Sequence, residues 1–227
     1  MATILIIGAS RGLGLGLAQA YHGQGWEVIG TARAAAGTGL HALAAAAVGK
    51  VAIEPLEITD DAAVAALRAR LAGRVIDLLF VNAGVAAGAD TLPGTTTADF
   101  LRVMQTNALA PMRCVEALQD LVPPGGMIAA MSSALGSVAG NTMGGYEAYR
   151  ASKAALNTLM RSFAARHAGD PRSLVLIHPG WVRTDMGGPT ATLGIEASIP
   201  GIVATLAAQS GRPGLRFLDY QGKPVPW

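Results

Sequence analysis

Tyr149-Arg150-Ala151-Ser152-Lys153 sets a phenol and an ammonium four residues apart. On a helix, positions i and i+4 share one face, so both groups can address one reacting centre. A free tyrosine titrates near pH 10, and a neighbouring ammonium favours its phenolate. Lowering it by about two units needs about 2.7 kcal/mol of differential stabilisation, within reach of a close charge in a partly desolvated site. Such a pair can donate or abstract a proton. Four tyrosines and three lysines in 227 residues would produce about 0.05 such pairs by chance, so the pair gains weight only from where it falls in the fold.

A second constellation lies near the amino end. Gly8-Ala9-Ser10-Arg11-Gly12-Leu13-Gly14 follows the apolar run Thr3-Ile4-Leu5-Ile6-Ile7 and opens a helical segment. Glycines here allow a tight turn, close approach of backbone to a pyrophosphate, and close helix–strand packing, with helix amides meeting the anion. The spacing is GxxxGxG rather than GxGxxG. An NAD enzyme places an acid near the end of the next strand for the ribose 2′-hydroxyl. Here that place holds Thr31-Ala32-Arg33, and an arginine suits a 2′-phosphate. The expected cofactor is therefore NADP(H) in preference to NAD(H). A positive nicotinamide would add to the pull on the Tyr149 phenol.

These groups must be positioned by the elements around them. Apolar runs predict strands over residues 3–8, 26–32, 51–56, 76–82, 127–132, 174–178 and 215–218. Helices are expected over 12–24, 38–48, 60–72 with Asp60 as N-cap, 97–122 with a kink at Pro111, 147–168 and 196–208. Pro123-Pro124-Gly125-Gly126 should end the fourth helix. Continuous apolar strands separated by helices imply a parallel sheet covered on both faces, with chemistry just beyond the strand carboxyl ends. The fold class is thus α/β: one doubly wound domain over 1–227 with about seven strands, expected in the Rossmann-type order 3-2-1-4-5-6-7.

Composition narrows the partners. Hydrophobic residues make up 51% and charged residues 14%, against roughly 25% in an average soluble protein, and net charge is +2. No basic stripe interleaved with aromatics suggests nucleic acid. The single cysteine, Cys114, reads as a small apolar helix residue, and no CxxC or HExxH points to zinc. No stretch approaches about 18 strongly apolar residues, and the start lacks a signal-peptide pattern, so a cytoplasmic location without membrane insertion is expected.

Together these motifs resemble the short-chain dehydrogenase/reductase family over nearly the whole length. Further matches are Asn82-Ala83-Gly84, Thr106-Asn107, Ser132-Ser133 and Pro179-Gly180-Trp181-Val182-Arg183-Thr184. The stretch Gly144–Asn157 and the ending Asp219–Trp227 resemble the sniffer and C-factor type of carbonyl reductases. The resemblance implies Tyr149 as general acid or base, Lys153 as its pKa modulator and ribose ligand, Ser133 as hydrogen-bond donor to the substrate oxygen, and Asn107 as support of a proton relay. It implies cofactor contacts from Gly8, Ser10, Arg11, Gly12, Leu13, Gly14, Arg33, Glu57, Ile58, Asn82, Ala83, Gly84, Pro179, Gly180, Val182 and Thr184, with Asn82 chiefly structural. Two departures stand out. Ser133 precedes Tyr149 by sixteen residues, where the family commonly has about thirteen. Ser132 and Ser137 therefore remain rivals, as does Tyr146 at the shorter spacing, although its i+4 residue is Arg150. Glu57 stands where the family often has Asp.

The implied activity is hydride transfer between NADP(H) and a small aldehyde, ketone or secondary alcohol. Trp181, Leu135, Met143 and Met186 are candidate pocket residues, and the loop near 180–198 a candidate lid. The lack of an evident partner for a substrate carboxylate favours uncharged compounds. A non-catalytic NADP(H) sensor on the same fold is the alternative; an extended-family epimerase would need more chain. A homo-oligomer built on the helices near 97–122 and 147–168 is expected.

Overall fold

The computed structural model describes residues 1–88 and 90–227. Seven strands form one sheet: β1 Thr3–Ile7, β2 Glu27–Ala32, β3 Val51–Pro55, β4 Leu78–Val81, β5 Met127–Met131, β6 Ser173–His178 and β7 Gly214–Asp219. Their order is β3-β2-β1-β4-β5-β6-β7, and every neighbouring pair is parallel. This is the expected topology. The last strand, read as a four-residue fragment, extends to six residues because it pairs along the whole of β6.

Alternation within the strands distributes the core. In β1, Leu5 and Ile7 join one buried cluster with Leu79, Val115, Leu156 and Phe163. Ile4 and Ile6 join the other with Leu17, Phe80, Ile202 and Leu206. One cluster is covered by α3 Asp61–Arg70, α5 Ala110–Leu118 and α6 Glu147–Arg166, the other by α1 Gly12–Gly23, α2 Gly39–Ala46 and α7 Ile195–Gln209. Both faces of the sheet are thus buried, as an all-parallel sheet requires. Asp60 caps α3 as expected, its Oδ1 accepting from the amides of Ala62 at 2.9 Å and Ala63 at 3.3 Å.

The helix expected over 97–122 is broken. Helix α4, Thr97–Met104, passes into a π turn over Gln105–Leu109 before α5 begins, and a 3₁₀ turn over Gln119–Leu121 ends the segment. The irregularity lies before Pro111, not at it. The π turn drops Pro111 into the opening turn of α5, where a missing N–H is tolerated. It also turns Asn107, fully buried, toward the loop after β4.

The strand order reverses between β1 and β4, whose ends pair through Ile7 and Val81. The cleft beyond these ends is where a doubly wound sheet binds its ligands. Gly8 and Asn82 are the next residues on each side of it.

Candidate active site

The loop after β1 is held from three directions. Thr31 Oγ1 accepts the Gly8 N–H at 2.8 Å, and Thr31 O accepts the Ala9 N–H at 2.9 Å. Asn82 Nδ2 donates to Gly8 O at 2.8 Å, and the Asn82 and Ala83 amides both reach Ile7 O. Gly8 lies at φ +90°, and a Cβ at Gly14 would sit 2.0 Å from Gly8 O. Glycine at 14 is therefore required for helix–loop contact. Leu13 packs on the core while Ser10 and Arg11 face outward. No side chain caps the amino end of α1 and no acid occupies its first turn. Its free amides and positive dipole end are left for an anion.

Arg33 and Glu57 meet at the carboxyl ends of β2 and β3, Nη1 to Oε2 3.5 Å, both exposed. They line a cavity of about 290 Å³ with Pro55, Leu56, Ala63 and Arg70. Burial pushes the Glu57 carboxyl up, but bonds from the Thr59 amide and hydroxyl and the Arg33 charge outweigh it and hold it below its usual value. The Ile58 side chain is in the core, so only its main chain can face a ligand.

Helix α6 brings Tyr149 and Lys153 to one face. Lys153 is 3% exposed; its Nζ donates to Met131 O, at the end of β5, at 2.9 Å and lies 5.8 Å from the centre of the Tyr149 ring. A Cβ at Gly84 would come within 3.6 Å of Nζ and 3.3 Å of Asn107 Oδ1, so the loop after β4 passes close to both groups. Asn107 Oδ1 accepts from the Val85 amide and Nδ2 donates to Val85 O, each at 2.8 Å, with a third bond from Nδ2 to Ser152 Oγ at 3.1 Å. Its side chain is fully engaged, leaving its main chain for any relay.

The protein's own groups do not by themselves acidify Tyr149. Burial pushes its phenol up to about 12, against an opposing hydrogen bond with the Ser133 hydroxyl. Burial pushes the Lys153 ammonium down to about 8. Desolvation of each group exceeds their mutual effect, so the phenol is protonated at neutral pH.

The three serines separate cleanly. Ser132 Oγ donates to Asn157 Oδ1 at 2.6 Å, and Ser137 Oγ donates to Trp227 O at 3.3 Å while accepting from the Gly140 amide. Ser133 accepts from the Leu135 amide at 3.1 Å and is the one beside Tyr149. Tyr146 is half exposed and begins α6 at φ +51°, a conformation costing about 1–2 kcal/mol in a residue with a Cβ.

The loop after β6 is zipped at its base: Val182 bridges Leu193, and the Arg183 amide donates to Leu193 O at 2.8 Å. Gly180 turns at φ +84°, and Pro179 O accepts from Ser198 Oγ at 2.6 Å. Thr184 Oγ1 accepts from the Gly187 amide, and Arg11 reaches across to pair with Asp185. Trp181 Nε1 donates to Gly187 O, and Met143 is 89% exposed. Met143 thus does not wall a closed pocket in this conformation.

A family model described as enoyl-(acyl carrier protein) reductase matches residues 8–212. A short-chain dehydrogenase/reductase from Burkholderia multivorans with bound NADP is 54% identical, with TM-score 0.97 over 100% of this chain and 99% of that one. The chain belongs to the short-chain dehydrogenase/reductase family. It is an oxidoreductase of that family, close to two expected relatives. The carbonyl reductase Sniffer of D. melanogaster is 32% identical, with TM-score 0.90 and full coverage of both chains. The C-signal protein of Myxococcus xanthus is 42% identical over 154 residues, 67% of this chain and 93% of that protein.

Several supports of this short-chain dehydrogenase/reductase site escaped sequence reasoning. Thr31 pins the glycine loop, and a polar residue inside an apolar strand was the available signal. Asn157, one turn beyond Lys153, clamps Ser132 and Gly136 O. The Met131 carbonyl and the Val85 backbone carried no signal, since main-chain groups are the same at every residue. No helix among the described residues is long and apolar enough to cross a membrane.

Proposed function

We propose that this oxidoreductase reduces small, uncharged aldehydes and ketones with NADPH, and oxidises the corresponding alcohols in reverse. The observation that carries the reading is the grouping of Tyr149, Ser133 and Lys153 at the carboxyl ends of β5 and α6's first turns, facing the cleft beyond β1 and β4.

The residues fit a dinucleotide phosphate. The uncapped amides of α1 suit a pyrophosphate and the exposed Arg33 guanidinium a 2′-phosphate. Gly8, Ser10, Arg11, Gly12, Leu13 and Gly14 would form the cradle, Glu57, Ile58, Asn82, Ala83 and Gly84 the adenine and ribose walls, and Pro179, Gly180, Val182 and Thr184 the nicotinamide end. NADPH when bound supplies the hydride. Tyr149, protonated at neutral pH, gives its proton to the substrate oxygen in reduction and takes it back in oxidation. Ser133, its Oγ lone pair engaged by the Leu135 amide, turns its O–H toward the same oxygen. Lys153 would hold the ribose and return a proton toward Tyr149, with Asn107 fixing the loop beside it.

Two arginines near the site favour an uncharged substrate because their guanidinium groups are engaged by main-chain carbonyls. Arg150 bonds Gly144 O and Gly145 O, and Arg183 bonds Ala191 O. The loop near 180–198 would close over substrate within the single 1–227 domain. Exposed Leu101 and Leu109, with Leu159 of α6, would supply apolar contacts for a homo-oligomer, which gel filtration with light scattering would measure.

A second reading follows from the likeness to C-signal: a non-catalytic NADP(H)-binding sensor or signalling protein. One experiment separates the two. NADPH and NADH consumption is followed with aldehydes, ketones and quinones for the native protein and Tyr149→Phe. Turnover with NADPH that falls at least a hundredfold in the variant supports the reductase. Tight NADPH binding with no turnover by either protein supports the sensor.

A further inference from the structure

Arg150 is a buried cation, 9% exposed, that pairs with no carboxylate among the described residues. Burying a charge is unfavourable unless hydrogen bonds compensate it. Its compensation is narrow. Nε donates to Gly145 O at 2.8 Å and Nη2 to Gly144 O at 3.0 Å, while its own amide donates to Tyr146 O at 2.8 Å.

Those three acceptors are consecutive and all left-handed, at φ +67°, +68° and +51°. A Cβ at Gly144 or Gly145 would meet nothing within 4 Å, so glycine serves the conformation here and not the space. No side chain caps the amino end of α6. The guanidinium, whose planar fork matches two adjacent carbonyls, holds the turn from the α6 side, while Asn141 Oδ1 accepts the Gly144 N–H at 3.2 Å and the Glu147 amide donates to Asp90 O at 3.0 Å from the other. Tyr149 stands three residues beyond Tyr146, and the turn lies within the sixteen-residue Ser133–Tyr149 interval.

We propose that Arg150 is a positioning residue: its guanidinium pins the left-handed turn Gly144–Tyr146 and so fixes how α6 presents the Tyr149 phenol beside Ser133. The proposal rests on the catalytic reading of Tyr149. A displacement of about 1 Å at the reacting group can cost on the order of a hundredfold in rate.

The test compares native protein, Arg150→Met, Arg150→Lys and Tyr149→Phe, all saturated with NADPH. Steady-state rates are read with the best carbonyl compound, and hydrogen–deuterium exchange over residues 141–148 and 155–166. Arg150→Met should lower kcat at least tenfold while the NADPH Kd stays within twofold. Exchange over 141–148 should quicken at least tenfold, with 155–166 unchanged. Arg150→Lys, with charge but no fork, should fall between, and added ethylguanidine should restore part of the kcat of Arg150→Met but none of that of Tyr149→Phe. Native kcat in Arg150→Met, or native protection over 141–148, would overturn the proposal. If Tyr149→Phe keeps full turnover, the reading of Tyr149 fails instead, and the exchange data still decide whether Arg150 holds the turn. Should Arg150→Met not fold, Arg150→Lys carries the same comparison.

Discussion

Asn107 pairs with both main-chain groups of Val85, accepting its N–H and donating to its C=O at 2.8 Å each. One side-chain amide thus does what a neighbouring strand would do, and locks the loop after β4 onto the π turn. Asn107→Ala removes both bonds and the Ser152 contact at a fully buried position. Urea unfolding should show a loss of about 1–3 kcal/mol, and kcat should fall because the loop that passes Lys153 is no longer fixed.

Lys153 is held at a cost to folding. Its pKa falls from 10.5 to about 8 in the folded protein. Between these values the unfolded chain binds more protons, so stability rises with pH across that window. Below pH 8 the full penalty applies, about 3 kcal/mol, and above pH 10.5 it vanishes. Lys153→Met should therefore be the more stable protein at pH 7, by about 1–3 kcal/mol after loss of the Met131 bond, with the gain gone near pH 10.5. Activity should be lost at both pH values. Denaturation at pH 7 and 10.5 checks the sign.

The same titration should shape the rate. With the phenol protonated up to about 12 and the ammonium up to about 8, the pair carries its full set of protons below pH 8. Carbonyl reduction should hold steady to about pH 8 and then fall, while alcohol oxidation rises. The inflection belongs to the pair. Lys153→Arg, permanently charged, should remove it from the pH profile of kcat/KM.

Serine roles are separable by pairing stability with rate. Ser133→Ala should lower kcat by about 10²-fold with a small change in unfolding. Ser132→Ala and Ser137→Ala should cost about 1 kcal/mol of stability each through lost buried bonds. They should leave kcat within a few-fold.

Arg33 pairs with Glu57 in an exposed contact, the kind worth under about 1 kcal/mol, so it can exchange that partner for a phosphate readily. Arg33→Ala should weaken NADPH binding by about 10–100-fold, the value of a charge-assisted bond, and leave NADH binding within twofold. Fluorescence titration of both cofactors measures the difference.

Both layers of helices, the glycine loop and the Tyr149/Lys153 spacing were legible because each rests on local pattern, whereas the sheet order followed from the fold type they implied. Apolar runs, helical spacing and turn residues act within a few positions of themselves. The break in the helix over 97–122 was assigned to Pro111 because a proline is a local signal. The π turn that replaced the kink answers to Asn107 and Val85, twenty-two residues apart.

What the sequence determined by itself was the class of chemistry: a phenol and an ammonium on one helical face, beyond the strands of a parallel sheet. What only the tertiary structure decided was which groups stand free to act. Ser132, Ser133 and Ser137 have the same hydroxyl, and their roles diverge because Asn157 and Trp227 engage two of them. The surroundings of the Tyr149 phenol are of the same kind. Charge alone argued for a phenolate, but desolvation depends on everything packed around the ring, and only the fold fixes that environment.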